Sequence, residues 1–219
     1  MNPSLCARPM LFQNEDDDFG LSIRGTCFLA RYNNRDFAIT AKHNVIDFEA
    51  WQYLILSDLD TEDSFDYEEP WTANLHKEPI EDFLVIPLCS LSRYCSNVFA
   101  DVENTSLKCY IGMNVSVYGF ASERTEYDLN NQRLVYHSER LLGLIDEVID
   151  DGIYRIQIDS RSHNLESFDG FSGAPVFAGC KLIGFVIQGS HDTRCATNLQ
   201  FVDARVIPHL ISSAANEVP

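Results

Sequence analysis

The chain has 219 residues, enough to bury a sizeable core as one large domain or as two small lobes. Its formal charge of −17 and pI of about 4.5 set up a field that repels phosphate backbones, so nucleic acid is excluded as an expected partner, whereas basic peptides or a basic protein surface would be attracted. No apolar run approaches the roughly 18 residues of a membrane span, so no membrane partner is expected either.

Met1 to Met10 lack a basic stretch followed by an apolar core, so no signal peptide is expected. The seven cysteines (Cys6, Cys27, Cys89, Cys95, Cys109, Cys180 and Cys195) are scattered, and none forms a Cys-x-x-Cys pair. Neither a zinc site nor a disulfide framework is indicated, and free thiols in a reducing cytoplasm are expected. The sequons at Asn104 and Asn114 carry no meaning in that compartment. No cofactor or metal is expected.

Residues 1–20 read as an irregular, solvated arm ending in Glu15-Asp16-Asp17-Asp18. Strands follow over Ile23–Tyr32 and Asp36–Thr40, joined by a hairpin turn at Asn33-Asn34-Arg35. The second of them runs into Ala41-Lys42-His43-Asn44-Val45. After a strand over Gln52–Leu56, seven carboxylates crowd residues 58–69. They lack the spacing and turn glycine that calcium ligation needs, and read as an exposed loop. Glu81-Asp82 then stands at the mouth of an apolar strand, and residues 89–108 read as a connecting segment. A second run of strands covers Asn114–Tyr118, Leu134–Ile145, Ile153–Ile158, Ala174–Phe177, Lys181–Gln188 and Asn198–Val202, and a helix closes the chain over Ala204–Ala215. This is an all-β pattern of two lobes split near residue 105.

The stretch that carries chemistry is Asp169-Gly170-Phe171-Ser172-Gly173-Ala174-Pro175, a glycine-rich turn entering an apolar strand. A serine between such neighbours has a free hydroxyl and a backbone whose N–H groups can converge on one small volume, as stabilisation of an oxyanion requires. A serine hydroxyl needs a base and a group that orients the base. His43, at the end of a strand, and Asp82, at the mouth of another, are the candidates for these two roles.

In that order and spacing the chain resembles the chymotrypsin-like (trypsin-fold) serine proteases, nearest to the small bacterial or cytoplasmic trypsin-like peptidases. The resemblance spans residues 20–212 and rests on Gly25-Thr26-Cys27-Phe28-Leu29 with Ile39-Thr40-Ala41-Lys42-His43, on Asp82-Phe83-Leu84-Val85-Ile86, and on Gly170-Phe171-Ser172-Gly173-Ala174-Pro175. It implies two antiparallel β-barrels with a C-terminal helix: an N-terminal arm (1–20), a first lobe (21–105) carrying His43 and Asp82, a second (106–203) carrying Ser172, and a helix and tail (204–219). Ser172 is then the nucleophile, His43 the base, and Asp82 its orienting acid, with the N–H groups of Gly170 and Ser172 as oxyanion hole. The resemblance also puts Gln188 and Gly189 along the substrate strand, and Glu166, six residues before the serine, at the floor of a pocket for Lys or Arg.

Four departures stand out. Asn44 replaces a cysteine that braces the histidine turn in secreted relatives. Phe171 replaces the aspartate that pairs with a freed N-terminus, so activation by N-terminal clipping is not expected. Ile187 replaces a serine that supports the triad acid, and Ala174 replaces a glycine. The implied function is an intracellular serine endopeptidase acting on protein or peptide substrates through an acyl-enzyme, with a regulatory protein partner. The alternative is a catalytically silent peptide- or partner-binding module. An esterase is disfavoured by the His, Asp, Ser order.

Overall fold

Short β-branched and aromatic runs, punctuated by turn residues, form 15 strands and one α-helix in the residues described by the computed structural model: 2–13, 21–45, 54–57, 64–72, 82–89, 98–103, 105–128, 133–189 and 197–215. In the first lobe lie β1 (Ala7–Gln13), β2 (Leu21–Tyr32), β3 (Arg35–Thr40), β4 (Leu54–Leu56), β5 (Trp71–Thr72), β6 (Leu84–Pro87) and β7 (Ala100–Asp101). They make one curled sheet in the order β4-β1-β2-β3-β6-β5, with β7 beside β2. The expected Asn33-Asn34 hairpin is present. Both asparagines have positive φ, 49° and 58°, and join Tyr32 to its partner Arg35.

The second lobe holds β8 (Asn114–Gly119), β9 (Glu126–Asp128), β10 (Arg133–Val135), β11 (Glu139–Asp150), β12 (Ile153–Ile158), β13 (Pro175–Ala178), β14 (Lys181–Gly189) and β15 (Asn198–Asp203). Six of these close into a barrel in the order β11-β12-β15-β14-β13-β8, and β9 and β10 form a separate hairpin. The all-β class is therefore as expected, although the described first lobe is a curled half-barrel. The β2–β7 pairing, which falls in the expected connecting segment, is parallel.

The N-terminal arm is a correction. Residues 7–12 are buried, because β1 is hydrogen-bonded between β2 and β4. Pro9 is tolerated because β4 pairs only with Met10 to Phe12, so the strand at Pro9 has a neighbour on one side alone. Arg8 is also buried. Its guanidinium donates to the carbonyls of Leu5 and Ala7 and lies 6.0 Å over the Phe65 ring.

Three apolar clusters hold the molecule. One fills the first lobe around Met10, Leu29 and Leu56, and one fills the barrel around Val117, Ile156 and Phe201. The third lies between the lobes, joining Phe28, Phe37 and Phe83 to Phe177 and Phe185. The helix α1 (Ile207–Ala215) seals that third cluster with Ile207, Leu210, Ile211 and Ala214. It begins three residues later than expected, after a 3-10 turn over Ala204–Val206 that Asp203 caps by accepting the Arg205 N–H. The five described cysteines are all free, and burial pushes the Cys6, Cys27 and Cys109 thiols up to about 12. No helix among the described residues is long and apolar enough to cross a membrane. Nor does any group of three or more His, Cys, Asp or Glu among them sit where it could hold a metal.

Candidate active site

A cleft of about 490 Å³ opens between the lobes, a volume in the range of small-ligand pockets. The first lobe lines it with Arg24, His43 and Asn44, and the second with Ser122, Phe168, Asp169, Gly170, Ser172, Ile187, Gln188 and Gly189. His43 lies in a 3-10 turn, Lys42–Asn44, that ends β3, and Asp82 lies just ahead of β6, the neighbour of β3. That pairing brings the two side chains together. The His43 Nδ1 is 2.6 Å from Asp82 Oδ2, and the His43 backbone N–H donates to Asp82 Oδ1 at 2.8 Å. An ionised carboxylate only accepts, so Nδ1 carries the ring proton and Nε2 has a free lone pair. Asp82 thus spends both oxygens on His43, and this answers the loss of support at Ile187, which is buried and lines the cleft.

The serine turn is fixed by its carbonyls. In a trans peptide the C=O and the following N–H point in opposite directions. The Asp169 carbonyl accepts from the Ser122 N–H at 2.9 Å, and the Phe171 carbonyl from the Ala174 N–H at 2.9 Å. The N–H groups of Gly170 and Ser172 are therefore turned the other way, and neither donates to a protein acceptor among the described residues. Gly170 has φ +94°, and a Cβ there would fall 2.2 Å from the Phe120 carbonyl oxygen. Phe171 is fully buried in the barrel core and packs on Phe168, so apolar packing anchors the turn.

The first lobe grips the same turn from behind. Thr26 donates its N–H to the Ser172 carbonyl (3.0 Å) and its hydroxyl to the Gly170 carbonyl (2.7 Å), and it accepts from the Phe120 N–H (3.0 Å). Asn44, at the lost-cysteine position, donates from Nδ2 to the Ser172 carbonyl (2.8 Å) and to Thr40 Oγ1 (2.9 Å). A hydrogen-bonded amide thus spans the lobes. The Ser172 hydroxyl makes no hydrogen bond to His43 among the described residues, although both groups line the one cleft.

Gly25 leaves room for that amide, since a Cβ there would lie 2.3 Å from Asn44 Nδ2. Gly25→Ala is expected to cost about 2 kcal/mol through overpacking, and Asn44→Ala about 1–2 kcal/mol through its lost bonds. Because each change acts on the same space, the double variant is expected to fall short of the sum by about 1 kcal/mol. Chemical denaturation of the four proteins checks this.

Glu166 is the site residue the structure moves. It is exposed and lies outside the cleft lining, with its N–H on the Glu123 carboxylate at 3.1 Å. The same carboxylate takes the Ser167 N–H at 3.1 Å, so this loop is anchored on the 3-10 turn Ser122–Arg124. Counting back from the serine assumes a loop course that this anchoring changes. Among the described residues the acid lining the cleft is Asp169, and the apolar lining is Phe168 and Ile187. A Cβ on Gly189 would come within 3.2 Å of Phe168 Cβ, so the glycine leaves space on that side. Gln188 lies beside it, exposed. Arg24, Ser122 and Phe168 line the cleft from outside the motifs, and Asp169 lines it from inside one without having been given a role.

The closed barrel, the curled sheet and the C-terminal helix define the chymotrypsin-like two-barrel fold. The solved structure of human heparin binding protein superposes with a TM-score of 0.69 at 12% identity, covering 100% of this chain and 96% of that one. A mutant of the same human protein, carrying two substitutions, gives the same score and identity over 100% and 94%. No family model and no curated protein sequence matches the chain.

Proposed function

We propose that the chain is a serine endopeptidase that cleaves peptide bonds through an acyl-enzyme. The observation that carries this reading is His43, held by Asp82 through its ring Nδ1 and its backbone N–H, lining one cleft with Ser172 and two uncommitted N–H groups. The Ser172 hydroxyl attacks the scissile carbonyl carbon as its proton passes to His43 Nε2. The carbonyl oxygen, now negative, accepts from the Gly170 and Ser172 N–H groups. The C–N bond then breaks, His43 gives its proton to the leaving amine, and water repeats the sequence on the ester. Closing the reaction requires the Ser172 hydroxyl to turn onto His43, a hydrogen bond of the kind that forms on substrate binding.

Burial of Phe171 and incorporation of residues 7–13 in β1 favour a serine turn that forms without a freed N-terminus. Free cysteines fit a reducing, cytoplasmic setting. A preference for basic residues before the cut finds no support at Glu166 and rests instead on the cleft carboxylate of Asp169 and on the −17 charge. The heparin in the neighbour's name does not carry over, because heparin is a polyanion and this surface repels it.

A second reading, a silent binding module regulated by or docking a partner, is favoured by the missing Ser172–His43 hydrogen bond. A fluorophosphonate probe decides between them. Labelling of the wild type that Ser172→Ala abolishes is the expected result, and an unlabelled wild type would sink the hydrolase.

A further inference from the structure

Among the described residues Arg24 is the one Lys or Arg that lines the cleft, and neither the triad nor the oxyanion groups use it. Its place in the strand is unusual. In the β1–β2 ladder Gly25 pairs with Met10 and Ile23 with Leu11, so Arg24 is the extra residue of a β-bulge and has no partner across the ladder. Bulges re-aim a side chain, and they are frequent beside active sites for that reason. Here the bulge turns Arg24 to the cleft. The guanidinium is braced rather than neutralised. It sits 5.2 Å over the Phe12 ring, and among the described residues no carboxylate lies within ion-pair distance of it. Arg31, in the same strand, is instead locked onto Asp36 at 2.7 Å. In a chain of net charge −17, an arginine held on a ring and not ion-paired among the described residues is a group that can bind an anion.

The direction of the peptide is the one the resemblance implies, with the acyl part of a substrate along the β14 end at Gln188 and Gly189, residues that line the cleft beside Phe168. The part that leaves after cleavage then runs toward β2 of the first lobe, where Arg24 stands. We propose that Arg24 is a specificity-determining residue that binds a carboxylate on the peptide segment downstream of the cut bond, an inference that rests on the peptidase reading above. The far field of the acidic surface opposes an acidic segment, but it is screened over about 8 Å at physiological salt, whereas a direct Arg24 contact is screened much less. An exposed pair of this kind is worth a discrimination of about three- to fivefold.

The test uses the full-length protein and its Arg24→Lys, Arg24→Gln and Arg24→Glu variants, with cut sites in a proteome-derived peptide library read by mass spectrometry. Asp and Glu at the first two positions after the cut are expected to be enriched about three- to fivefold by the wild type and by Arg24→Lys. The enrichment is lost in Arg24→Gln and gives way to Lys and Arg in Arg24→Glu. Short peptides with free or amidated C-termini tell a side-chain carboxylate from a chain-end one. A wild type that labels with fluorophosphonate, yet cuts with the same downstream residues in all four proteins, overturns the assignment and leaves the hydrolase standing. If the wild type does not label, the hydrolase fails and binding decides. Fluorescence anisotropy with matched Asp- and Asn-containing peptides should then show about three- to fivefold tighter binding of the acidic one, lost in Arg24→Gln. Equal affinities would overturn it.

Discussion

Asp82→Asn is expected to lower kcat/KM about 10⁴-fold while the protein stays folded. The geometry at His43 explains why the loss should be so large for a single oxygen-to-nitrogen change. Asp82 accepts two bonds from the same residue, one from the His43 backbone N–H and one from the ring. The backbone N–H cannot reverse its role, so the one oxygen of an asparagine is pinned on it. The amide NH₂ then faces Nδ1, which must become the acceptor. The ring proton moves to Nε2, and the nitrogen that should take the serine proton already carries one. Binding is little affected, because Asp82 is not among the residues lining the cleft. The expected signature is therefore a fall in kcat with KM nearly constant, measured on any peptide the wild type cuts. A variant retaining more than about a tenth of the wild-type rate would show that His43 is not the base.

The same pair shows why much of the site was legible in the sequence. The apolar strands ahead of His43 and behind Asp82 are adjacent in the sheet, and short strands with clear turn residues are read reliably. The serine turn was legible for a different reason, since only glycine suits the positive φ at residues 170 and 173. The rest was hidden by context that no local pattern carries. Residues 1–20 show no strand alternation, yet β1 forms there because its apolar residues are covered by β2 and β4. Glu166 lies outside the cleft lining, on a loop anchored by Glu123 more than 40 residues earlier in the chain, a contact that no local pattern carries. The bulge at Arg24 depends on the register of two strands at once, and a lone arginine before a glycine gives no sign of it. Asn44 illustrates the intermediate case. Its difference from cysteine was visible, but its bond to the Ser172 carbonyl needed the second lobe in place.

Gly173→Ala carries the second large effect, on stability. Gly173 sits where the serine turn presses against the first lobe, with φ +84° and its Cβ position 2.0 Å from the Thr26 carbonyl oxygen and 2.3 Å from Thr40 Oγ1. The left-handed backbone alone costs an L-residue about 1–2 kcal/mol. The overlap adds about 1–3 kcal/mol, at the upper end here because the atom in the way is main chain and cannot rotate aside. Nor can the turn retreat freely. The Gly173 N–H is bonded to the Val186 carbonyl at 2.7 Å, and Thr26 holds the carbonyls on either side of Phe171. A total of about 4–5 kcal/mol is a large share of the roughly 5–15 kcal/mol that keeps a domain folded. At this chain length it corresponds to a fall in Tm of about 10–15 °C. The methyl also drives Thr26 off the serine turn, which loosens the N–H groups of Gly170 and Ser172 together. Fluorophosphonate labelling of the variant should therefore fall well below the wild-type rate even at temperatures where calorimetry shows it folded. If Gly173→Ala melts within about 2 °C of the wild type, the two lobes are not in contact at this turn, and the cleft between them is not the one described.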